Sequence, residues 1–242
     1  MPDVFEDIAS RYHARAQYHP LFFERLAKEL KLHRDSRLLD AGCGGGELAK
    51  GFSPYVGEVV AIDISEDMLN LARVNAPSNI LFRKGEVGNC NVGNFDAIAV
   101  GRALRYMPRE PTIKYFEGVL PKGGAVVTCT AGIEAATSWR KEFGNVMRRY
   151  GYRADAFSFK DTSYFSATSF KYIDLVHTKN QAEYTLKSLT ENALSFRSSH
   201  ERISSNIRQF QGDLETALKP YLNENGSLNA MVGSVAFIFK KV

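Results

Sequence analysis

The chain has 242 residues, of which 44% are hydrophobic and 24% charged, so its length and composition suffice for one full core. A net charge of +4 is too small to indicate nucleic-acid binding by itself. The three cysteines, Cys43, Cys90 and Cys129, fit neither a zinc spacing nor a disulfide framework, so we expect a reducing, cytoplasmic location. We also expect no signal peptide and no membrane span, because no basic-then-apolar start and no long apolar run is present.

The predicted elements begin with helical spacing over residues 5–32, in which Pro20 is a break or a first-turn residue. Short apolar runs then predict five strands, over residues 37–41, 58–62, 79–82, 95–100 and 124–130. Between these strands, helices are predicted after Gly46, behind Ser65 as an N-cap, and from Pro111. Alternation of strand and helix favours a parallel sheet with helices on both faces.

The second half lacks this alternation. Two closing strands are predicted over 172–186 and 229–241, and helices over 189–196 and 203–222. The fold class is therefore α/β, with a Rossmann-like, seven-stranded, mostly parallel sheet and helices on both faces. We predict one domain of four parts: an N-terminal helical lid (1–34), a core (35–130), a helical insert after the fifth strand (131–170), and closing strands and helices (171–242).

The stretch "LLDAGCGGGELA", residues 38–49, places a glycine-rich turn directly after the first strand. In an open parallel sheet, ligands bind at the carboxyl ends of the strands, and bare backbone lets a ligand approach a helix start. Asp63 follows the turn by about 20 residues, where an acid accepts both hydroxyls of a ribose. A flexible turn and a capping aspartate are the alternatives, but the two features together favour a nucleoside ligand.

The glycine spacing departs from the dinucleotide fingerprint G-x-G-x-x-G, because Glu47 stands where the third glycine would fall. The segments "LLDAGCGGGELA", "VVAIDIS", "FDAIAVGRAL" and "LPKGGAVVTC", in this order, resemble the class I S-adenosylmethionine-dependent methyltransferases. The resemblance is greatest to the small-molecule branch of trans-aconitate and ubiquinone-type enzymes, whose first helix often reads Y-x-x-R-x-x-Y. Tyr12, Arg15 and Tyr18 have that spacing here.

The resemblance implies that S-adenosylmethionine is the cofactor and S-adenosylhomocysteine the product. It places the backbone of Gly42 and Gly44, with Ala41, against the methionine part of the cofactor. It implies that Asp40 orients the amino group of the cofactor, directly or through water, and that Asp63 binds the ribose hydroxyls.

Further roles implied by the resemblance concern the adenine and the carboxylate. Ile64 and Met68 would pack on the adenine, and Glu86, followed by Val87, would face its amino group. Arg15 would pair with the cofactor carboxylate through its guanidinium fork. Tyr12 and Tyr18 would close the site, unless they only pack a helix.

The fourth strand ends in "GRALRYMP", where many relatives have an A-L-H-W sequence. Gly101 and Arg102 are expected to contact the cofactor, and Arg105 and Tyr106 replace the usual His-Trp pair beside the transferred methyl. Arginines near that methyl favour an anionic acceptor such as a carboxylate or phenolate, whereas surface solvation is the alternative reading. Because of this unusual pair, the alternative also stays open that the chain binds the cofactor or its product without catalysis.

In-line methyl transfer needs position and electrostatics rather than a metal, and we expect no metal. A phenol or amine would gain from a general base, for which His19, and also His13, are candidates if they are not merely structural. With Arg105 and Tyr106, His19 completes the predicted catalytic set.

Residues 131–168 combine aromatic and basic side chains, which predict either a substrate-pocket lid with a basic rim or an amphipathic helix. These side chains are Trp139, Phe143, Tyr150, Tyr152, Phe157, Phe159, Tyr164 and Phe165, with Arg140, Arg148, Arg149 and Arg153.

The sequence thus favours a small-molecule methyltransferase, a monomer or homodimer, with an anionic or aromatic acceptor and no membrane partner. An RNA or other nucleic-acid methyltransferase is the alternative that the basic-aromatic stretch supports. The chain lacks the Asn/Asp-Pro-Pro-Tyr and Pro-Cys motifs of such enzymes. A dehydrogenase is disfavoured by the missing third glycine.

Overall fold

The computed structural model describes residues 11–90, 92–153 and 162–242. Its strands, in chain order, are β1 (Arg37–Ala41), β2 (Glu58–Asp63), β3 (Ile80–Lys84), β4 (Ala97–Gly101), β5 (Ala125–Ile133), β6 (Phe170–Tyr184) and β7 (Leu228–Lys241). They form one seven-stranded sheet in the order β3-β2-β1-β4-β5-β7-β6. The predicted strands all exist, and their bounds shift by three residues or fewer.

The described helices are α1 (Pro20–Glu29), α2 (Glu47–Phe52), α3 (Glu66–Arg73), α4 (Arg109–Val119), α5 (Arg140–Arg149), α6 (Leu186–Leu194), α7 (Arg197–Ser205) and α8 (Ile207–Leu218). Ser65 caps α3 as predicted, since its hydroxyl accepts from the Met68 N–H at 3.2 Å. None of these helices is long and apolar enough to cross a membrane.

The first five strands pair in parallel, as predicted. Leu39 of β1 lies opposite Val60 on one side and Ile98 on the other. The chain moves outward from β1 through β2 to β3, then returns to place β4 on the opposite side of β1. This reversal creates a crevice at the carboxyl ends of β1 and β4, where open α/β sheets bind ligands.

The last strand runs antiparallel to β5, so the sheet is mixed. Lys241, at the end of β7, exchanges backbone hydrogen bonds with the 123–124 turn that precedes β5. At the other end of β5, the Glu134 N–H donates to the Met231 carbonyl near the start of β7. The prediction of a mostly parallel, seven-stranded sheet is confirmed.

Two helix predictions were wrong in extent. The described part of the first predicted helix holds a 3-10 turn at 11–14 and a non-helical segment before α1 starts at Pro20. Proline fixes its own backbone and disfavours helical geometry in the preceding residue, and His19 is indeed extended with ψ 142°. The predicted helix over 203–222 divides into α7 and α8 at Asn206, whose φ of −133° is not helical.

The contacts within the chain define two compact units. The sheet unit comprises residues 18–130, 162–178 and 234–242, and the helical unit comprises residues 11–17, 131–153 and 179–233. The organisation as a single domain of four parts stays a prediction.

The core of the helical unit buries three of the eight aromatic side chains that the sequence suggested for a pocket lid. Trp139, Phe143 and Tyr150 are buried there with Leu189 and Phe210. Trp139 also donates its indole N–H to the Asn229 carbonyl at 2.7 Å. These three rings therefore stabilise the unit by burial and edge-to-face packing. These three rings give the lid interpretation no support, because a buried ring presents no surface to a substrate.

The sheet unit buries Tyr164 and Phe165 in the same way, with Phe165 against Phe170 and Phe239. Phe157 and Phe159, which the sequence placed in the same lid, lie outside the described residues.

Candidate functional site

The site lies in the sheet unit, where the carboxyl ends of β1, β2 and β4 come together. Each strand ends in a segment that the sequence singled out: the turn 42–46 after β1, residues 63–65 at the end of β2, and residues 101–106 at the end of β4.

The glycine turn adopts backbone conformations that favour glycine. Gly42, Gly44 and Gly46 have φ of +70°, +51° and +79°. The N–H groups of Gly42 and Cys43 both donate to the Ile62 carbonyl at 2.9 Å, which ties the turn to β2. A Cβ atom on Gly42 would lie only 2.7 Å from the Cβ of Ala103. Gly42 is therefore required by close packing against the segment after β4.

Substitution of Gly42 by alanine is expected to destabilise the protein by about 1–3 kcal/mol, through left-handed strain and overpacking. Gly118 is a matched control, because it lies inside α4 with no atom near the position of an added Cβ. Gly118→Ala is expected to stabilise by about 0.5–1 kcal/mol, since alanine is the better helix former. Urea denaturation of both variants measures the two changes in the free energy of unfolding. Changes of the same sign in the two variants would contradict the packing argument.

Asp63 lies at the end of β2 and binds the glycine turn. Its carboxylate accepts from the Gly44 N–H at 2.7 Å and from the Ser65 N–H at 3.0 Å. These bonds hold the carboxylate beside the backbone of the turn. Its role with ribose hydroxyls stays a prediction.

Asp40 is the most deeply buried acid of the site, with an exposed fraction of 1%. Its Oδ2 accepts from the Ala49 N–H at 2.9 Å, whereas its Oδ1 has no hydrogen-bond partner among the described residues. Burial raises the pKa of Asp40 from 3.8 to about 8, and the nearby Asp63 and Glu47 carboxylates add to the rise. A buried acceptor without a donor is costly, so this atom is suited to a donor on a ligand.

The residues expected to face adenine divide by exposure. Ile64 is 45% exposed, an unusual exposure for a large apolar side chain that follows a buried strand, whereas Met68 is 2% exposed. Glu86 is exposed and accepts from the Asn89 side chain at 3.0 Å. Val87 packs against the core of the sheet unit. Ile64 thus has apolar surface that is accessible to an adenine ring, whereas the Met68 side chain is buried and packs α3.

Arg102 and Glu47 form an ion pair that the sequence did not indicate. Arg102 Nη1 lies 3.1 Å from Glu47 Oε2, and the two side chains are 10% and 16% exposed. The guanidinium also lies 5.1 Å from the ring centre of Tyr18, as a cation–π contact. The sequence marked Glu47 only as the residue in place of a third glycine. The sole local signal was its position in the first turn of a helix, which many surface acids share.

Arg105 and Tyr106 occupy a short 3-10 turn, Leu104–Tyr106, just beyond β4. The guanidinium of Arg105 lies 5.7 Å from the ring centre of Tyr106, which is 51% exposed. The two predicted catalytic side chains are therefore neighbours at the ligand-binding edge of the sheet, where Arg105 is half-buried and Tyr106 is exposed.

His19 has a structural task in this fold. It is the N-cap of α1, and its Nδ1 accepts from the Leu21 N–H at 3.2 Å. This bond gives His19 a structural role, and its catalytic role stays a prediction. His13 is exposed.

Tyr12 and Arg15, predicted to contact the cofactor, belong to the helical unit. Arg15 donates to the Ser195 carbonyl at 2.6 Å and lies 4.7 Å from the Tyr12 ring and 5.0 Å from the Phe196 ring. These contacts fix Arg15 within its own unit. Its pairing with a cofactor carboxylate stays a prediction.

Across residues 11–90, 92–153 and 162–242, no group of three or more His, Cys, Asp or Glu side chains could hold a metal ion.

Comparison with known proteins points to one kind of domain. Residues 38–124 match the family described as "Methyltransferase domain". The demethylmenaquinone methyltransferase of Staphylococcus saprophyticus is 30% identical over 138 residues, which are 52% of this chain and 59% of that protein. The chain therefore spans less than two thirds of the length of this relative.

Solved structures share the fold over nearly the whole chain. A putative type II methyltransferase from Anaeromyxobacter dehalogenans has a TM-score of 0.66 and 13% identity, and the match covers 93% of this chain and 96% of that one. A methyltransferase from Thiobacillus denitrificans, solved with S-adenosylhomocysteine, has a TM-score of 0.54 and 14% identity, with 100% and 99% covered.

Proposed function

Because residues 38–124 match the family of the methyltransferase domain, we propose that this chain is a class I S-adenosylmethionine-dependent methyltransferase that transfers the methyl group of S-adenosylmethionine to a small, anionic acceptor. The proposal goes beyond the family match in naming the bound cofactor and the class of acceptor.

The observation that carries the proposal is the orphaned Oδ1 of Asp40 at the switch point of the sheet. S-adenosylmethionine has an ammonium group, which supplies the donor that this buried oxygen lacks. Asp63 and Ile64, at the end of the neighbouring strand, offer a carboxylate for the ribose and apolar surface for the adenine. The residues present therefore fit the cofactor from its amino-acid end to its base.

When bound, the cofactor supplies an electrophilic methyl group on a sulfonium. The protein's contribution is then to hold the two reactants in line and to exclude water. In this arrangement Asp40 would hold the ammonium, Asp63 the ribose, and the backbone of Gly42 and Gly44 the methionine part.

The segment beyond β4 supports the proposed class of acceptor. Arg105 and Tyr106 present a cation and an aromatic ring together at this edge of the sheet. A guanidinium attracts a carboxylate or phenolate, and the ring packs on an aromatic or apolar body. An acceptor that is already anionic needs no general base, so the capping role of His19 is compatible with the reaction. The relative named demethylmenaquinone methyltransferase supports a small-molecule acceptor.

Methyl transfer from labelled S-adenosylmethionine to a panel of carboxylic acids, phenols, amines and tRNA tests the proposal. We expect transfer to acids or phenols, and a rise in KM of about tenfold or more in Arg105→Met, because a charge-assisted bond is lost. The Kd for S-adenosylmethionine should stay unchanged. Lys114→Met, on the exposed side of α4, is the matched control.

The outcomes separate the alternatives. Transfer to tRNA alone would replace the small-molecule acceptor by a nucleic acid. Binding of the cofactor without transfer to any member of the panel would favour a binding protein, and no binding at all would overturn the function. A cytoplasmic location and a monomeric or homodimeric state stay predictions from the sequence.

A further inference from the structure

Two segments of the sheet unit, one directly after the Leu104–Tyr106 turn and one before β6, are joined by hydrogen bonds in both directions. The Tyr164 hydroxyl donates to the Met107 carbonyl at 3.2 Å. The Arg109 guanidinium donates to the Tyr164 carbonyl at 2.9 Å and to the Ser166 carbonyl. Each segment thus supplies a donor side chain to the backbone of the other, and we call these three hydrogen bonds the clasp.

The two donor side chains of the clasp differ in burial. Tyr164 is 8% exposed and belongs to the core of the sheet unit, together with Leu104 and Ile113. Arg109, in the first turn of α4, is exposed. Because a hydrogen bond is stronger where water is partly excluded, the tyrosine hydroxyl should contribute more to the position of the backbone than Arg109 does.

The far end of the segment before β6 has its own anchor on α4. Glu117 accepts from the N–H and from the hydroxyl of Ser169, at 3.2 and 2.8 Å. Phe165 also packs on Phe170 and Phe239 in the core. Loss of one bond of the clasp should therefore leave this segment on α4 and loosen only its contact with the residues after β4.

The carbonyl that Tyr164 binds belongs to the residue directly after the Leu104–Tyr106 turn. Met107 also closes this turn from within, since its N–H donates to the Leu104 carbonyl at 3.1 Å. A single 3-10 turn has poor hydrogen-bond geometry by itself, so a bond from outside helps to fix the direction of its side chains. Arg105 and its neighbour in the proposed acceptor-binding pair lie on this turn.

We propose that Tyr164 and Arg109 are positioning residues, which hold the turn 104–106 in the orientation that receives the acceptor. They act through the Met107 carbonyl rather than by contact with a reactant. The inference rests on the proposed function, because it takes Arg105 and Tyr106 of that turn as the acceptor-binding pair. A misplacement of about 1 Å in such a pair can reduce the rate about 100-fold, even when both side chains are present.

Hydrogen exchange followed by NMR tests the structural half of the proposal without any acceptor. Tyr164→Phe removes one hydroxyl and keeps the buried ring. We expect the Met107 N–H to exchange about tenfold faster than in wild type, since one partly buried hydrogen bond no longer holds the turn closed. The Met68 N–H, which donates to Ser65 at 3.2 Å outside the clasp, should keep its exchange rate.

Steady-state kinetics tests the functional half, with the acid or phenol of the panel that wild type methylates fastest. The kcat/KM of Tyr164→Phe for this acceptor should fall about tenfold, while its Kd for S-adenosylmethionine stays unchanged. Tyr150→Phe is the matched control. Tyr150 is also 8% exposed, and its hydroxyl donates to Asp213 at 2.9 Å outside the clasp, so this variant should keep the kcat/KM of wild type.

The exposed partner of the clasp provides a second series of variants that should fold normally. Arg109→Met should lower kcat/KM by a smaller factor than Tyr164→Phe, and Arg109→Lys, which keeps a donor, should recover part of that loss. Lys114→Met, which removes another exposed cation of α4, should have no effect.

The proposal is overturned if Tyr164→Phe keeps both the exchange rate and the kcat/KM of wild type. It is also overturned if exchange accelerates while kcat/KM is unchanged, because the clasp would then be purely structural. If wild type methylates no member of the panel, the proposed function fails and the role of the clasp in methyl transfer fails with it. Faster exchange in Tyr164→Phe would then show that the clasp holds the turn and that the error lies in the function.

Discussion

Asp40→Asn is expected to raise the thermal stability of the ligand-free protein at neutral pH and to weaken its binding of S-adenosylmethionine. Burial raises the pKa of Asp40 to about 8, with Asp63 and Glu47 as further causes. Asparagine has the same shape and keeps an acceptor for the Ala49 N–H, but it is neutral without taking up a proton on folding. It also offers no carboxylate to an ammonium, so the gain in stability should accompany a loss of affinity.

The pH dependence has a defined sign. Between the ordinary value of 3.8 and about 8, Asp40 holds a proton in the folded state that it loses in the unfolded state. Because the folded state binds more protons, the free energy of unfolding of wild type falls as the pH rises through this window. The free energy of unfolding of Asp40→Asn should therefore exceed that of wild type by an amount that grows from about pH 4 to about pH 8 and stays constant above.

Thermal unfolding of both proteins at several pH values measures this difference. Asp67→Asn is the control, since Asp67 is exposed in the first turn of α3. An advantage that shrinks as the pH rises would contradict the assignment of the proton to Asp40. Unchanged affinity for S-adenosylmethionine in Asp40→Asn would remove Asp40 from the cofactor site.

Asp63→Ala is expected to weaken S-adenosylmethionine binding about 100-fold. Two charge-assisted bonds to a ribose contribute about 3 kcal/mol or more together, which corresponds to that factor. The substitution also removes the bonds to the Gly44 and Ser65 N–H groups, so the glycine turn loses its support. Asp63→Asn keeps the shape of the side chain and one acceptor, so its loss of affinity for S-adenosylmethionine should be smaller.

Calorimetric titration with S-adenosylhomocysteine and with adenosine separates this effect from those at the amino-acid end. Both ligands contain the ribose, so Asp63→Ala should weaken the binding of both, whereas Asp40→Asn should spare adenosine, which has no ammonium group. Asp67→Ala is expected to bind like wild type. If Asp63→Ala keeps full affinity for adenosine, the carboxylate only supports the turn.

The regular elements could be predicted because their signals are local. β1 has the predicted bounds, Arg37–Ala41, since a short apolar run ending in glycines indicates a buried strand wherever it occurs. Ser65 caps α3 because a hydroxyl at that position reaches the N–H three residues on, whatever packs around it. The helical prediction over 5–32 was wrong for the described residues before Pro20, but α1 begins at Pro20, which was predicted as a break or a first-turn residue.

The site could be predicted only in part. The glycine turn and Asp63 are brought together as expected, and their contact joins two residues 19 positions apart at the ends of adjacent strands. The aromatic residues Trp139 and Phe143 could not be assigned from composition, because a ring is suitable for a core as well as for a pocket.

By itself, the sequence determined the strands, the glycine turn and the acids beside it, since each depends on neighbours along the chain. The tertiary structure alone decided the antiparallel β7, the raised pKa of Asp40 and the pairing of Glu47 with Arg102, which are 55 positions apart. Burial and Coulomb interactions depend on distance in space, and that distance is set only when the sheet brings the ends of β1 and β4 together.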